Sequence, residues 1–553
     1  MCKIFIRITL ILSLLVLNSF VLADENLERK IAQVDKLFAE YTMKTPGAAV
    51  AIVYNGKVVH LAGYGNANLD YEIPITPSTV FSIGSCSKQF TAMAIAILAK
   101  EGKISLDDDI RKYIPEMNDF GHTITIRHLL HHTSGLRDYA GLMRLAGYHD
   151  DDFWDRDRVL KIITRQKDLN FIPGEEYLYS NTNYALLGEI VVRVAEQPLS
   201  VFTKKKIFDV LKMSNTNFFE DYQMIIKNRS ESYIGRSDHY LKGIITWNMP
   251  GAGYLFTTAD DMAKWLLNFD NQTLGKDLMD IFLSRGSFNN GKMMVCGFGI
   301  AHREYRGKKV YRHDGGHAGY SSIISYFPDD RFGVAVLYNV NVFNPGATAN
   351  KIADIFLELK SIQYTPLYRF PERIFLAPDV LNRFVGFYTM EIGNFQILLD
   401  KGKLYYFSPG ENREELIPFT ETSFYMEGLF RQEFTFELDE DGKANHFTFQ
   451  GRTKKFKGEG IKGFPEPTFR IKDYVGNYYS EEIDTYYRLV DINNVLTVQN
   501  IRVKDFTLGH SKDDSFYGPR DFRQVTFTRN DKGEVDGFLV SSNRVRNLKF
   551  IKK

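Results

Sequence analysis

Ser85 and Lys88 stand three residues apart in the run Ser85-Cys86-Ser87-Lys88. On a helix, residues i and i+3 lie on one face, so this spacing sets an amine beside a hydroxyl. A serine hydroxyl is a weak nucleophile at neutral pH and needs a neighbouring base. A lysine can be that base where burial or a second cation favours its neutral form. A helix opening at this point also offers unpaired N–H groups near Ser85. The pattern S-x-x-K occurs once in the 553 residues, where ordinary Ser and Lys usage would give about two. Taken alone, it reads better as a capping serine and a solvated lysine.

Two further groups add to it. Tyr179-Ser180-Asn181 offers a phenol that becomes a general base beside a cation, and an amide able to pair with a substrate ester or amide. Tyr64-Gly65-Asn66 has the same spacing and reads as a turn after a strand. His313-Asp314-Gly315-Gly316-His317-Ala318-Gly319 places glycines at a strand edge, where a ligand can approach the backbone and exposed N–H groups can serve an oxyanion. The plainer alternative for that run is a glycine turn between strands.

The elements needed to hold these groups are legible. Residues 27–43 read as an amphipathic helix. From Gly47 to Gly65, two β-branched runs flank Asn55-Gly56, a strong hairpin signal. Residues 85–101 have helical spacing, with Phe90, Met93, Ala94, Ile97 and Leu98 on one face, and Gly102 is placed to end that helix. Thr125 caps a short helix closed by Gly135. Helical patterns follow at 183–196 and 347–360, with two strands between Ser321 and Asn339. Strands at both ends with helices between them predict α and β layers around one sheet.

At this point the chain resembles the class C β-lactamase-related serine hydrolases, a family of D,D-carboxypeptidases, D-aminopeptidases, esterases and penicillin-binding proteins. The likeness spans roughly residues 30–360. It rests on ordered stretches: GYGNANLDYEIPITPSTVFSIGSCSKQFTAMAIAILAKEGKISLDDDI, ITIRHLLHHTSGL, IPGEEYLYSNTNYALLGEIV, PGAGYLFTTADDMAKW and RHDGGHAGYSS. The resemblance implies that Ser85 attacks a carbonyl to form an acyl-enzyme, and that Lys88 and Tyr179 share the proton transfers. It implies that Asn181 positions substrate, that His313-Asp-Gly315 stands where the family often has K-T-G, and that the N–H groups of Ser85 and Gly316 form the oxyanion hole. It also implies an antiparallel sheet flanked by helices, with the site at the edge of a helical region. His313 in place of a lysine removes a fixed cation, which points away from β-lactams and D-Ala-D-Ala peptides and toward esters or aminopeptidase substrates.

After Lys360 the texture changes. Residues 363–379 carry three prolines and read as a linker. Beyond them an internal repeat appears. Phe384-Val-Gly-Phe-Tyr388 returns as Tyr474-Val-Gly-Asn-Tyr478, Ser423-Phe-Tyr425 as Ser515-Phe-Tyr517, and Phe436, Gly442 and Phe447 as Phe527, Gly533 and Phe538. An offset of about 90 residues predicts two copies of one small β unit. The predicted order is therefore a signal peptide at 1–23, a hydrolase domain at 24–362, a linker at 363–379, and β repeats at 380–466 and 467–553. The fold class is α+β: a β-lactamase/transpeptidase-like domain followed by two barrel-like or sandwich-like all-β units.

Composition narrows the partners. Hydrophobic content of 44%, charge of 25% and a net charge of +1 describe a globular protein with no basic surplus for nucleic acid. Lys3 and Arg7, the apolar run Ile8–Val16 and Val21-Leu22-Ala23 make a secretory signal, so the expected location is periplasmic or extracellular, with no membrane span after cleavage. Cleavage leaves Cys86 and Cys296, too few for a disulfide framework, and Cys86 reads as a small core residue. His128, His131 and His132 lack the H-E-x-x-H pattern, Asp107-Asp108-Asp109 lacks calcium-loop spacing, and no G-x-S-x-G elbow occurs. No metal or cofactor is expected. The resulting expectation is a secreted acyl-serine hydrolase acting on an ester or a D-amino-acid-containing peptide or amide, with peptidoglycan as a candidate partner. The alternative is a non-catalytic binding or sensor protein that uses the C-terminal β repeats. The joint presence of Ser85, Lys88 and Tyr179 favours catalysis, because a binding module needs none of them.

Overall fold

The computed structural model describes residues 25–221, 223–236, 239–246, 249–342, 344–360, 371–390, 393–407, 413–426, 432–451, 455–461, 470–519 and 521–553. The expected signal peptide and residues 363–370 of the expected linker lie outside them. Two compact units are present: Met1–Tyr139 with Asp150–Ser361, and Ala140–His149 with Ile362–Lys553. No helix among the described residues is long and apolar enough to cross a membrane.

The first unit is built on a six-stranded antiparallel sheet. In chain order its strands are β1 (Ala48–Tyr54), β2 (Lys57–Tyr64), β3 (Ala301–Tyr305), β4 (Lys308–His317), β5 (Tyr320–Phe327) and β6 (Phe332–Tyr338). Their order across the sheet is β3-β4-β5-β6-β1-β2. The Asn55-Gly56 signal is realised: both residues have positive φ, 50° and 74°, which a two-residue turn matched to strand twist requires. The β1–β2 hairpin is then joined to the late strands by β1–β6 pairing, from Ala48 opposite Tyr338 to Tyr54 opposite Phe332.

Both sheet faces are covered, so β1, β5 and β6 read as continuous buried runs rather than alternating ones. One face packs under α1 (residues 25–37) and α6 (Pro345–Phe356), with Val34, Phe38, Val50, Ile323, Val336, Ile352 and Phe356 in one core. On the other side, Leu266 of α5 (Ala259–Asn271) abuts Gly333 of β6, and Trp265 of α5 reaches α2 (Lys88–Lys100) by donating from Nε1 to Gln89 Oε1 at 3.0 Å. Every residue of α2 from Lys88 to Leu98 is buried. It is a central helix, apolar nearly all round, where the sequence had suggested one apolar face.

Two helix boundaries differ from expectation for local reasons. The Thr125-capped helix α3 (Ile126–Leu130) has the expected cap: Thr125 Oγ1 accepts from His128 N and His128 Nδ1 accepts from Thr125 N. It stops before His132, which takes a left-handed φ of 57°, rather than running on to Gly135. The helix expected at 183–196, α4, spans Asn181–Ala195, so Asn181 is its first residue instead of preceding it.

The second unit contains the two predicted β copies. The first is a closed eight-stranded barrel from Gly386–Met390 to Lys455–Ile461, whose first and last strands pair. The second is a nine-stranded sheet whose two outer strands, Phe506–Thr507 and Gly509–Lys512, are joined by Leu508 alone, so the sheet curls until its ends meet. The repeat extends to detail. Tyr388 Oη donates to Phe384 O at 2.8 Å in the first copy, and Tyr478 Oη donates to Tyr474 O at 2.7 Å in the second. Aromatic side chains fill both interiors: Phe395, Phe434 and Phe447 in one, Phe516, Phe527 and Phe538 in the other. Residues Ala140–His149 pack on the second copy within this unit: Tyr487 Oη donates to Leu145 O at 3.0 Å, and Arg144 pairs with Asp521 at 3.1 Å.

Candidate active site

The Ser85 segment folds as a 3-10 turn, Gly84–Ser87, running directly into α2. Gly84 enters with φ of 49°, a conformation that favours glycine. Ser87 Oγ ties the turn, donating to Gly84 O at 2.6 Å and accepting from Leu255 N at 3.2 Å. The edge of β4 lies directly against this turn. A Cβ on Gly315 would fall 2.1 Å from Ile83 O, and one on Gly84 would fall 2.7 Å from Gly316 N. The glycines expected at a strand edge are thus what lets the His313–His317 backbone touch the Ser85 turn.

Lys88 is 0% exposed, and its Nζ is surrounded by acceptors. It lies 3.2 Å from Ser85 Oγ, 3.0 Å from Asn181 Oδ1 and 2.6 Å from Ala252 O. A buried amine is tolerated only when its polar hydrogens find partners, and three oxygens lie within hydrogen-bond reach of this nitrogen. The Tyr179 ring centroid is 5.0 Å from Lys88 Nζ. Ser85, Lys88, Tyr179 and Asn181 therefore meet, and His313, Gly315 and Gly316 wall the same place from β4.

A second layer fixes these groups. Asn181 N donates to Asp138 Oδ2 at 2.6 Å, which caps α4. Thr91 Oγ1 donates to Gly251 O at 2.9 Å, holding the strand of chain that presents Ala252 O. The His132 ring lies 4.4 Å from the Tyr179 ring, and His132 Nδ1 accepts from Ser180 N at 3.2 Å. That acceptor role puts any proton of neutral His132 on Nε2. Asn183, held by Ser134 Oγ at 2.7 Å, lies 3.2 Å from the same Nδ1. His131 turns the other way, to Cys296 O at 3.1 Å. Among the described residues no group of three or more His, Cys, Asp or Glu is arranged to hold a metal.

His313 Nδ1 lies 2.6 Å from Asp314 O. Burial and the neighbouring Lys88 push its pKa down to about 4, against the pull of Asp314. Its imidazole is neutral at pH 7, so this wall carries no fixed positive charge. Cys86 is fully buried and burial raises its thiol to about 12. Its Sγ donates to His313 O at 3.1 Å, and it packs the Gly84–Ser87 turn against β4. Cys86 and Cys296 are both free thiols.

Sequence reasoning passed over Asp138, Asn183 and Ala252, and weighed His132 only as a metal ligand. Asp138 and Ala252 carry no spacing signal at all, since Ala252 acts through its carbonyl. His132 and Asn183 did have one, in the polar stretches HHTSGL and YSNTNY beside a proposed tyrosine base.

The Beta-lactamase family matches residues 34–357, more than half of the chain, and the chain belongs to this family of serine hydrolases. It is 29% identical over 327 residues to Protein flp of Staphylococcus aureus (strain N315), covering 56% of this chain and 63% of that protein. The chain thus matches less than two thirds of that relative's length. It is 26% identical over 426 residues to Penicillin-binding protein 4* of Bacillus subtilis (strain 168), covering 71% of this chain and 91% of that one. Among solved structures it resembles the octameric penicillin-binding protein homologue from Pyrococcus abyssi, with a TM-score of 0.53 and 24% identity, across 78% of this chain and 99% of that one. That last likeness is one of fold.

Proposed function

We propose that this protein is an exported hydrolase that forms an acyl-enzyme through Ser85 and acts on an ester or a D-amino-acid-containing amide. The observation that carries the reading is the 3.2 Å approach of a fully buried Lys88 Nζ to Ser85 Oγ. In the proposed reaction Ser85 Oγ attacks the substrate carbonyl while its proton passes into the Lys88–Tyr179 pair, which returns a proton to the leaving group. Water then attacks the acyl carbon by the reverse route and releases Ser85. The N–H groups of Ser85 and Gly316 receive the oxyanion. Asn181 holds Lys88 and offers its amide to the substrate.

The neutral imidazole of His313 supports a substrate whose recognised end is uncharged, because a terminal carboxylate would meet no fixed cation there. Esters and amides fit that requirement better than peptides read by a free carboxylate. Peptidoglycan is a candidate partner on the strength of the penicillin-binding relative, and export rests on the basic-apolar-small pattern of residues 1–23.

The test is intact mass after incubation with a fluorophosphonate, on wild type and on Ser85→Ala. One adduct on wild type and none on the variant is the expected result. No adduct on folded wild type would refute the mechanism and favour a binding protein.

A further inference from the structure

The two β copies share their interior but not one outward face. In the first copy a cross-strand row runs Ile461, Phe387, Gln396, Phe407. The structurally equivalent row of the second copy runs Lys553, Asn477, Arg488, Gln499. It lies across β10 (Leu548–Lys552) and its following residue, β7 (Gly476–Ser480), β8 (Thr485–Ile492) and β9 (Val495–Gln499). One register position is thus mostly apolar in one barrel and polar or cationic in the other. A barrel of this shape therefore does not require the second set.

The neighbouring row adds aromatic surface. Ile551, Tyr479 and Tyr486 stand side by side two residues along, so they share the face of the first row. The Tyr479 and Tyr486 rings are 4.6 Å apart, Tyr486 is 58% exposed, and Lys553 Nζ sits 5.8 Å from the Tyr479 ring. Arg488 is exposed and has no acidic partner among the described residues, and the Asn477 amide is likewise uncommitted. Asn477, Tyr486, Arg488 and Gln499 of these rows line a groove of about 570 Å³ that also takes in Asp484, to which Tyr479 Oη donates at 2.8 Å, and continues to Asn500 and Arg502.

We propose that this groove is a binding site for an acidic polysaccharide. Sugar rings present flat C–H faces to tyrosine, while their hydroxyls pair with the amide of Asn477 and with Oε1 of Gln499, whose Nε2 already donates to Asp505 Oδ2 at 2.6 Å. A carboxylate on the sugar takes the planar fork of Arg488. One guanidinium without an acidic partner among the described residues, in a groove that also holds the Asp484 carboxylate, suits a sparsely charged sugar chain better than the regular phosphates of a nucleic acid, which call for many cations. The groove is formed by residues of the second unit alone, and the proposal is independent of the proposed hydrolysis.

The experiment measures binding of the full chain to polygalacturonate, with dextran and a single-stranded DNA oligonucleotide as comparators, at low and high salt. Binding to polygalacturonate is expected, weaker in high salt, with little binding to dextran or DNA. Arg488→Ala and Tyr486→Ala are each expected to weaken it about tenfold, with an unchanged melting temperature. Lys443→Ala, which removes a cation from an exposed turn of the first barrel, is expected to bind as wild type. Absence of binding, equal loss in Lys443→Ala, or equal uptake of the DNA would overturn the proposal.

Discussion

Gly315 and Gly316 make a sharp test of how the edge of β4 serves Ser85. A Cβ at Gly315 would sit 2.1 Å from Ile83 O, 2.6 Å from Ser322 Oγ and 3.1 Å from Cys86 N. The Ile83 carbonyl is two residues before the nucleophile and accepts from Cys86 N at 3.1 Å. Relief to an ordinary contact needs a shift of about 1 Å, and it must be borne by backbone, because interiors are packed too densely to absorb it. A displacement of that size at a reacting group costs roughly a hundredfold in rate, equivalent to about 2.7 kcal/mol of barrier. At Gly316, in contrast, a Cβ meets only Tyr320 O, at 3.9 Å, and alanine keeps the N–H. Gly315→Ala should therefore acylate about a hundredfold more slowly with a fluorophosphonate, and Gly316→Ala within a few fold of wild type. Intact mass against time gives the rate constants, and a thermal melt on each variant confirms folding. Equal rates in the two variants would refute the claim that the strand edge positions the nucleophile by close backbone contact.

Lys88→Met keeps the stem length but removes the amine between Ser85 Oγ, Asn181 Oδ1 and Ala252 O, and should slow acylation by roughly 10²–10⁴; a rate within tenfold of wild type would exclude Lys88 from proton transfer. His131, His302, His313 and His317 all have pKa values pushed down to about 4, with burial the leading cause in each. The unfolded chain binds those protons near pH 6.5, so between pH 6.5 and 4 the unfolded state holds more protons and stability falls as pH falls. Melting temperature should decline steadily over that window, and a flat profile would contradict the buried neutral histidines. Tyr388→Phe and Tyr478→Phe each leave a buried carbonyl without its donor, at Phe384 and Tyr474 respectively. Each should cost about 1–2 kcal/mol of stability, read by denaturant unfolding, and similar losses in both would mark the bond as a shared feature of the repeat.

What the sequence determined by itself is local. The i, i+3 spacing of Ser85 and Lys88, the positive-φ pair Asn55-Gly56, the Thr125 cap and the 90-residue repeat each follow from interactions within a few residues, or from the same pattern written twice. The helix at Tyr179-Ser180-Asn181 was found but placed two residues late, since its first turn is fixed by Asp138 across the fold rather than by a neighbouring cap. The tertiary structure alone decided the rest. Asn181 and Ala252 reach Lys88 from 93 and 164 positions away, and the His132 ring comes to lie 4.4 Å from Tyr179. Pairing of β1 with β6 joins the early hairpin to the late strands, and burial of His313 beside Lys88 pushes its pKa down. These contacts have no periodic signature, because they depend on how finished elements pack, and a carbonyl oxygen such as that of Ala252 can be supplied by any residue type.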